Sequence, residues 1–502
     1  MGESLPHFGG GWEGGFKIIN LRVMRNKLLF ILASFLVLAA SCKPKTNCEA
    51  LADLIKAKSE AGYFTEASRM ADSLKSECPG SEKLIRIADS LIDINERIRL
   101  DFSMTEADFS ARVDRYLGKP TDSMLTAWEG NKWIEWLMID GEKMYFNRAA
   151  SNLKLLKDFY EEREKQDRET AADASMIARL KHTEQVMKET GEKAVPVVPV
   201  PMKIIYTITV PADVVPEGET IRCWLPFPKE NHDRQTNVKL LSTTESNYIL
   251  APDSCTHRSL YMEKSAVKGS PAIFSISYLY TSAGIYFDQD KMEIRPYDKD
   301  GELYKKYTAE QLPNICFTEN IKRLADEITS PGDDPQAVVR KIYMWFKENI
   351  QWTGALEYSV MPNISEYVFE NRRGDCGMQT FMFMSMLRYK GIPVRWQSGW
   401  MVPPLHKSLH DWCEVYFEGT GWVPADISYD LQSSENTKLR EFFLSGIDSY
   451  RLIVNDGVTG PFTPEKKFFR SEPYDFQRGE VEWKGGNLYF DKWDYEMQIE
   501  YL

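Results

Sequence analysis

Three textures of apolar and polar positions follow one another along the chain. From about residue 47 to 194 apolar residues recur at helical spacing, as in Ala50, Leu51, Leu54 and Ile55, and few glycines or prolines interrupt them. Cys78-Pro79-Gly80-Ser81 reads as a stop followed by an N-cap, and Ile139-Asp140-Gly141-Glu142 reads as a break between two helical runs. Lys154 to Glu189 reads as a long charged helix with a solvated face. Ala194 to Pro201 carries three prolines that cannot continue a helix, and it reads as a stiff linker. From about 202 to 298 the period changes to two. Ile204, Tyr206, Ile208 and Val210 alternate with Ile205, Thr207 and Thr209, which predicts a small antiparallel β-sandwich. From about 310 to 502 helices and strands mix. Val338, Ile342, Trp345 and Phe346 form one stripe of a helix that starts at Pro335. The expected fold class is therefore α+β and multidomain: a helical region at 47–194, a β-sandwich at 202–298 and a mixed domain at 310–502. A chain of 502 residues agrees with about three domains.

Composition narrows the function classes. With 43% hydrophobic and 27% charged residues the chain is an ordinary globular protein. A formal net charge of -12 argues against a nucleic-acid partner, because phosphate binding needs a basic face. Near the start, Met24-Arg25-Asn26-Lys27 precedes a run from Leu28 to Ala40 that is apolar except for Ser34. That run is too short to span a bilayer of about 30 Å as a helix, but it suits a secretory signal. Met24 is the natural start of such a signal. Leu38-Ala39-Ala40-Ser41-Cys42 resembles a bacterial lipobox, which implies cleavage before Cys42 and lipidation of that cysteine. Residues 1–42 are thus expected to be leader and lipoprotein signal. The mature protein would be held on a membrane through Cys42, in the cell envelope.

Export permits disulfides. Eight cysteines less Cys42 leave seven, so at least one thiol is unpaired within a monomer. The pairing is open. Neighbourhood alone suggests Cys48–Cys78, Cys223–Cys255 and Cys316–Cys413, leaving Cys376 free.

The chemistry lies between Gly374 and Asp426. Asp375 suits an N-cap, and Gly391 followed by Pro393 suits a stop. The intervening run is apolar nearly all round, so the helix is expected to be buried. Cys376 would sit in its first turn, where unpaired N–H groups favour a thiolate and can bind an oxyanion. A thiol nucleophile needs a base held by a third group. His410 lies in a strand-like run, Asp426 closes the next one, and Glu418-Gly419-Thr420-Gly421 turns between them. Side chains alternate along a strand, so His410 and Asp426 share a face only if the loop is odd in length and not a two-residue turn. Glu418 is the midpoint between them. Cys413 would face away from His410, and Asp411 is expected to be solvated. No His/Cys group has convincing metal spacing, and no cofactor is expected.

Gly374-Asp375-Cys376-Gly377, Leu387 to Arg395, His410 to Tyr416 and Gly421 to Asp426 resemble, in order and spacing, the transglutaminase-like core. The resemblance covers roughly residues 330–430. It implies a papain-like α+β core and places the catalytic roles on Cys376, His410 and Asp426. Trp224 to Pro228 resembles the sandwich that precedes this core in many bacterial members, and Phe443 to Arg451 resembles a segment that follows it. Trp352 is a candidate oxyanion or substrate-site residue, because the family often has a polar or aromatic side chain upstream of the cysteine. The implied activity is acyl transfer from protein or peptide amides through a thioester, with hydrolysis favoured over crosslinking. The alternative is a non-catalytic envelope scaffold that retains the fold.

Overall fold

The computed structural model describes residues 47–156, 174–230 and 232–502. The expected signal, the lipobox and Cys42 lie outside the described residues, as does part of the charged helix expected after Lys154. The chain divides into two compact units, one ending at Ser151 and the other running Asn152–Leu502.

In the first unit, helices Cys48–Glu60, Phe64–Glu77 and Glu82–Asp101 bury one apolar face each, with Ile55, Ala67, Ala71, Leu74, Ala88 and Leu91 in a shared core. Asn47 caps the first of them by accepting from Ala50 N at 3.2 Å. The Cys48–Cys78 disulfide ties the start of the first helix to the end of the second. The region is not helical throughout. Trp136–Ile139 (β1) and Glu142–Tyr145 (β2) pair as an antiparallel hairpin. Asp140 and Gly141 form its turn with φ of 50° and 86°. Asp-Gly with two positive φ values matches the right-handed twist of a hairpin, so the expected helix break is a strand reversal.

The second unit opens its sheets with Val197–Val210 (β3), Thr220–Pro226 (β4), Gln235–Thr243 (β5), Tyr248–Leu250 (β6), Ser259–Ser265 (β7) and Ala272–Tyr286 (β8). Met202, Ile204, Tyr206, Ile208 and Val210 of β3 are all buried, as the period-two pattern predicts. The proline-rich stretch is not a free linker. Residues 197–201 are the start of β3, where Val197 and Val200 pair with β8 across a register shift. Proline is tolerated in a strand at such an irregularity.

The mixed region follows. Gln351–Trp352 (β9) pairs in parallel with Arg373–Gly374 (β10). Val394–Met401 (β11), Ser408–Phe417 (β12), Gly421–Ala425 (β13) and Arg451–Asn455 (β15, after the short β14 at Gly446–Ile447) form a sheet in the order β13-β12-β11-β15. Helices Glu319–Ile328, Pro335–Asn349, Ile364–Asn371 and Cys376–Tyr389 share one core with that sheet. In the Pro335 helix Val338, Ile342 and Phe346 are buried, while Trp345 packs at the margin.

Glu480–Trp483 (β16), Gly486–Leu488 (β17) and Asp494–Tyr501 (β18) then return to the sandwich. One five-stranded sheet runs β14-β8-β3-β18, with β5 also on β8; the other runs β17-β16-β4-β7-β6. The two bury a common core around Trp224, Phe274 and Tyr278. The C-terminal strands that the sequence grouped with the region after 310 therefore complete the sheets begun at 197. β18 lies along β3 from Asp494↔Thr209 to Tyr501↔Met202 and pairs what would otherwise be an open edge. The architecture is α+β, with N-terminal helices, a two-sheet sandwich and a helix-backed sheet.

Candidate active site

In the helix Cys376–Tyr389 every residue from Cys376 to Arg388 is buried. Its buried polar groups are paired: Thr380 Oγ1 donates to Cys376 O at 2.8 Å, Gln379 Nε2 to Gly374 O at 2.9 Å, and Ser385 Oγ to Phe381 O at 2.9 Å. Asp375 caps it, accepting from Met378 N at 3.0 Å and from Tyr358 Oη at 2.6 Å. Cys376 follows at the first helical position, with only 8% of its surface exposed. Two glycines flank this pair for steric reasons. A Cβ on Gly374 would lie 2.8 Å from the Met378 Cβ, and one on Gly377 would lie 2.1 Å from Tyr358 Oη and 2.6 Å from Asp411 Oδ2.

β12 and β13 are joined by the three residues 418–420. Their register pairs Cys413 with Ala425 and Phe417 with Gly421. The loop is odd, as expected, and Gly419 and Gly421 take positive φ of 97° and 98°. It is centred on Gly419 rather than Glu418. Extending the register, Asp426 stands opposite Trp412, so it meets His410 along the diagonal of the same face. The contact is close: His410 Nε2 donates to Asp426 Oδ2 at 2.6 Å. This leaves Nδ1 as the ring nitrogen available to a thiol.

Asp426 is fully buried and fully satisfied. Arg451 Nη1 donates to Oδ2 at 2.8 Å, and Ser428 donates its N–H and Oγ to Oδ1 at 3.2 and 3.0 Å. Burial pushes this carboxyl up, but His410 and Arg451 outweigh burial and hold it well below the usual carboxylate range. Arg451 is itself buried, gripped on its other side by Asp448 Oδ2 at 2.8 and 3.0 Å. Its guanidinium lies over the rings of Trp412 and Tyr429 at 5.3 and 5.2 Å. Lys347 donates to the carbonyls of Ile427 and Tyr429 and so fixes the turn after Asp426.

The thiol is elsewhere engaged. Cys376 Sγ donates to Asp411 Oδ2 at 3.4 Å, and among the described residues no hydrogen bond joins it to His410. Strand alternation explains the separation. β12 turns Asp411 and Cys413 toward the Cys376 helix, and turns to its other face Trp412, which packs with Ile285, Ile447 and Ile453, and His410, whose ring lies beside Trp412 and Tyr429. Burial pushes the Cys376 thiol well up, and the carboxyls of Asp411 and Asp375 push it further.

Asp411 is not solvated. Only 3% of it is exposed, and Oδ1 accepts from Gln477 Nε2 at 2.8 Å, the same amide that donates to His410 O at 3.0 Å. Arg451, Asp475 and Gln477 lie beyond the stretch that carried the sequence argument. Of these only Arg451 had a signal, as the end of the segment Phe443–Arg451. Trp352 pairs its backbone with Gly374, two residues before the cysteine, and its side chain is 48% exposed. Of the suggested disulfides only Cys48–Cys78 forms; Cys223, Cys255, Cys316, Cys376 and Cys413 are free thiols. Cys413 faces the helix core, away from His410. Among the described residues no group of His, Cys, Asp and Glu could hold a metal ion, and no helix is long and apolar enough to cross a membrane.

A capped, buried cysteine at a helix start, set against a sheet whose hairpin joins a histidine to an aspartate, defines a thiol-centred α+β domain. Residues 322–427 match the family model for the transglutaminase-like superfamily. The chain is 24% identical over 152 residues to the uncharacterised protein YebA of Bacillus subtilis, covering 26% of this chain and 20% of that one. It is also 24% identical over 140 residues to a protein-glutamine gamma-glutamyltransferase of Pseudomonas aeruginosa, covering 26% and 21%. The chain thus spans about a fifth of the length of these curated relatives. Among solved structures it is similar to a candidate cysteine protease from Cytophaga hutchinsonii, with a TM-score of 0.39 at 14% identity over 61% of this chain and 92% of that one. It is similar to the periplasmic domain of TgpA from Pseudomonas aeruginosa with a TM-score of 0.25 at 15% identity, over 51% and 94%.

Proposed function

We propose that the domain is a cysteine enzyme of acyl transfer, with Cys376 as nucleophile, His410 as base and Asp426 as the group that orients the imidazole. The observation that carries this reading is the 2.6 Å bond between His410 Nε2 and Asp426 Oδ2, which leaves Nδ1 for the thiol proton. In the reaction His410 takes the proton of Cys376 and the thiolate attacks the carbonyl carbon of an amide. His410 then passes the proton to the departing amine, and a thioester remains. Water or a second amine attacks the thioester and releases Cys376. Hydrolysis is the favoured outcome, because water needs no dedicated acceptor pocket. Transfer to an amine is the other, and is what the name of the Pseudomonas aeruginosa relative describes. For the first step Sγ must leave Asp411, and His410, which β12 turns to its other face, must be brought to it. Trp352, exposed beside Gly374, is proposed to contact substrate.

The substrate is proposed to be a protein or peptide, met in the cell envelope by a protein anchored through a lipid on Cys42. Support for the location is the signal-like run from Met24 to Ala40 and the lipobox-like Leu38–Cys42. A second reading, a non-catalytic envelope scaffold, draws support from the thiol's engagement with Asp411 and its upward-shifted titration. The deciding experiment compares wild type with Cys376→Ala on a peptide library, scoring cleavage and uptake of a labelled amine. Cleavage lost in the variant supports a peptidase, and amine uptake lost in the variant supports a transferase. No turnover of either kind in wild type leaves the scaffold.

A further inference from the structure

Behind the Cys376 thiol lies a pair of buried carboxyls that the acyl-transfer steps do not use. Asp411 Oδ2 receives the thiol at 3.4 Å. Ser398, the cross-strand partner of Asp411 in β11, donates its Oγ to Asp475 Oδ1. Asn455 Nδ2 donates to that same oxygen at 2.9 Å and to Ser398 Oγ at 2.8 Å. Ser398 in this way bridges the two acids: it stands across the strands from Asp411 and bonds Asp475, which brings the two carboxyls side by side. Both are buried, with 3% of each exposed.

Burial and a neighbouring acid push each of these two carboxyls up, so ionising one opposes ionising the other. The hydrogen bonds decide where the charge sits. Asp475 accepts from a hydroxyl and an amide, which suits a carboxylate. Asp411 accepts one amide at Oδ1 and faces the thiol at Oδ2. The other groups that face Asp411 are Asp375, the cap of the cysteine helix, and Tyr358; Glu472 stands behind Asp475. No cation faces Asp411 among these. The charged groups that raise it, Asp475 and Asp375, are both acids and favour a proton on Asp411.

We propose that Asp411 is a positioning residue for the Cys376 thiol, presented to it as a neutral carboxylic acid because Asp475 carries the pair's negative charge, and that losing the shared proton at alkaline pH restrains the thiol from ionising. The proposal rests on the reading of Cys376 as nucleophile only for its consequence in turnover. The contact itself is a property of the folded chain. At working pH the neutral acid holds Sγ by a weak hydrogen bond that the thiol can leave for His410. Once Asp411 becomes an anion, a negative charge stands against Sγ, and the thiolate forms only at still higher pH.

The test is the rate at which iodoacetamide alkylates Cys376, read by mass spectrometry across the pH range in the full chain, for wild type and Asp411→Asn. Asparagine has the shape of the neutral acid and never ionises. The two rates are expected to agree within about threefold near pH 6 and to part as pH rises, with wild type slower by about tenfold or more near pH 9.5, as one unit of thiol displacement requires. Profiles that superpose throughout overturn the proposal. So does a wild type already tenfold slower near pH 6, which would make Asp411 an anion at working pH. If the variant does not fold, wild type alone suffices. An infrared spectrum with isotope-labelled aspartate should contain a protonated buried carboxyl near neutral pH that disappears on alkalinisation, and the absence of that band overturns the proposal equally. Cys376→Ala keeps the two readings apart. Turnover that survives it removes the nucleophile assignment and leaves the alkylation result standing.

Discussion

Arg451 Nη1 lies 2.8 Å from Asp426 Oδ2, the same oxygen that receives His410 Nε2 at 2.6 Å. One buried oxygen thus accepts from two partners on different strands, β15 and β12, and the Arg451 fork is closed on its far side by Asp448. The aspartate has its place because the arginine neutralises it.

Arg451→Met is therefore expected to leave Asp426 and Asp448 buried without their main counter-charge. Removing one partner of a buried ion pair costs about 3–5 kcal/mol, and chemical denaturation followed by tryptophan fluorescence should read a loss of that order. Arg451→Lys keeps the charge but not the fork, so it should recover only part of the loss. A variant as stable as wild type would mean that His410 and Ser428 hold Asp426 without the arginine.

Gly377 packs its Cα against Asp411 and Tyr358. Gly377→Ala forces both away from the helix start, and overpacking of this kind costs about 1–3 kcal/mol. Because Asp411 is one of the displaced groups, the variant should also alkylate at Cys376 with an altered pH profile. An Ala variant with wild-type stability and wild-type alkylation would show that the site is looser than its contacts imply.

The parts of this site that could be read in the sequence are those fixed by local rules. Asp375 as cap, the buried helix to Tyr389 and the shared face of His410 and Asp426 follow from capping, periodicity and strand parity. The one-residue shift of the hairpin centre does not, since it depends on Gly419 and Gly421 both taking positive φ. Asp411 reads as a solvated strand charge because nothing near it in the chain is a partner. Its partners, Asp475 and Gln477, arrive from the C-terminal segment. β18 differs: Tyr495, Met497, Ile499 and Tyr501 alternate with Glu496, Gln498 and Glu500 and read as a strand, but nothing local names β3, almost three hundred residues earlier, as its partner.

Acid should loosen the core sheet through Glu414. Its Oε2 accepts from Arg395 Nε at 2.6 Å, and His232 stands 3.7 Å from its other oxygen. Burial pushes this carboxyl up, yet His232 and Arg395 outweigh it and bring it down to about 2. The folded state thus binds the proton more weakly than the unfolded chain, where a glutamate titrates near about 4.3. Its contribution is fully present above that value and is lost as pH falls toward about 2. Glu414→Gln should flatten the decline in unfolding free energy across this window, measured by denaturation at a series of pH values. An unchanged slope would assign the acid sensitivity elsewhere.

Trp352 separates folding from function most cleanly. Its ring is about half exposed, and its backbone, through the pairing with Gly374, is what the cysteine loop uses. Trp352→Ala keeps that backbone, so stability should stay within about 0.5 kcal/mol of wild type. If the ring contacts substrate as proposed, its removal should raise KM by about tenfold with a smaller change in kcat, because binding contacts shared by ground and transition states act on KM. Phe at the same position should restore most of the loss. A kcat that falls with KM unchanged would instead point to oxyanion stabilisation, and unaltered kinetics in both variants would remove Trp352 from the site.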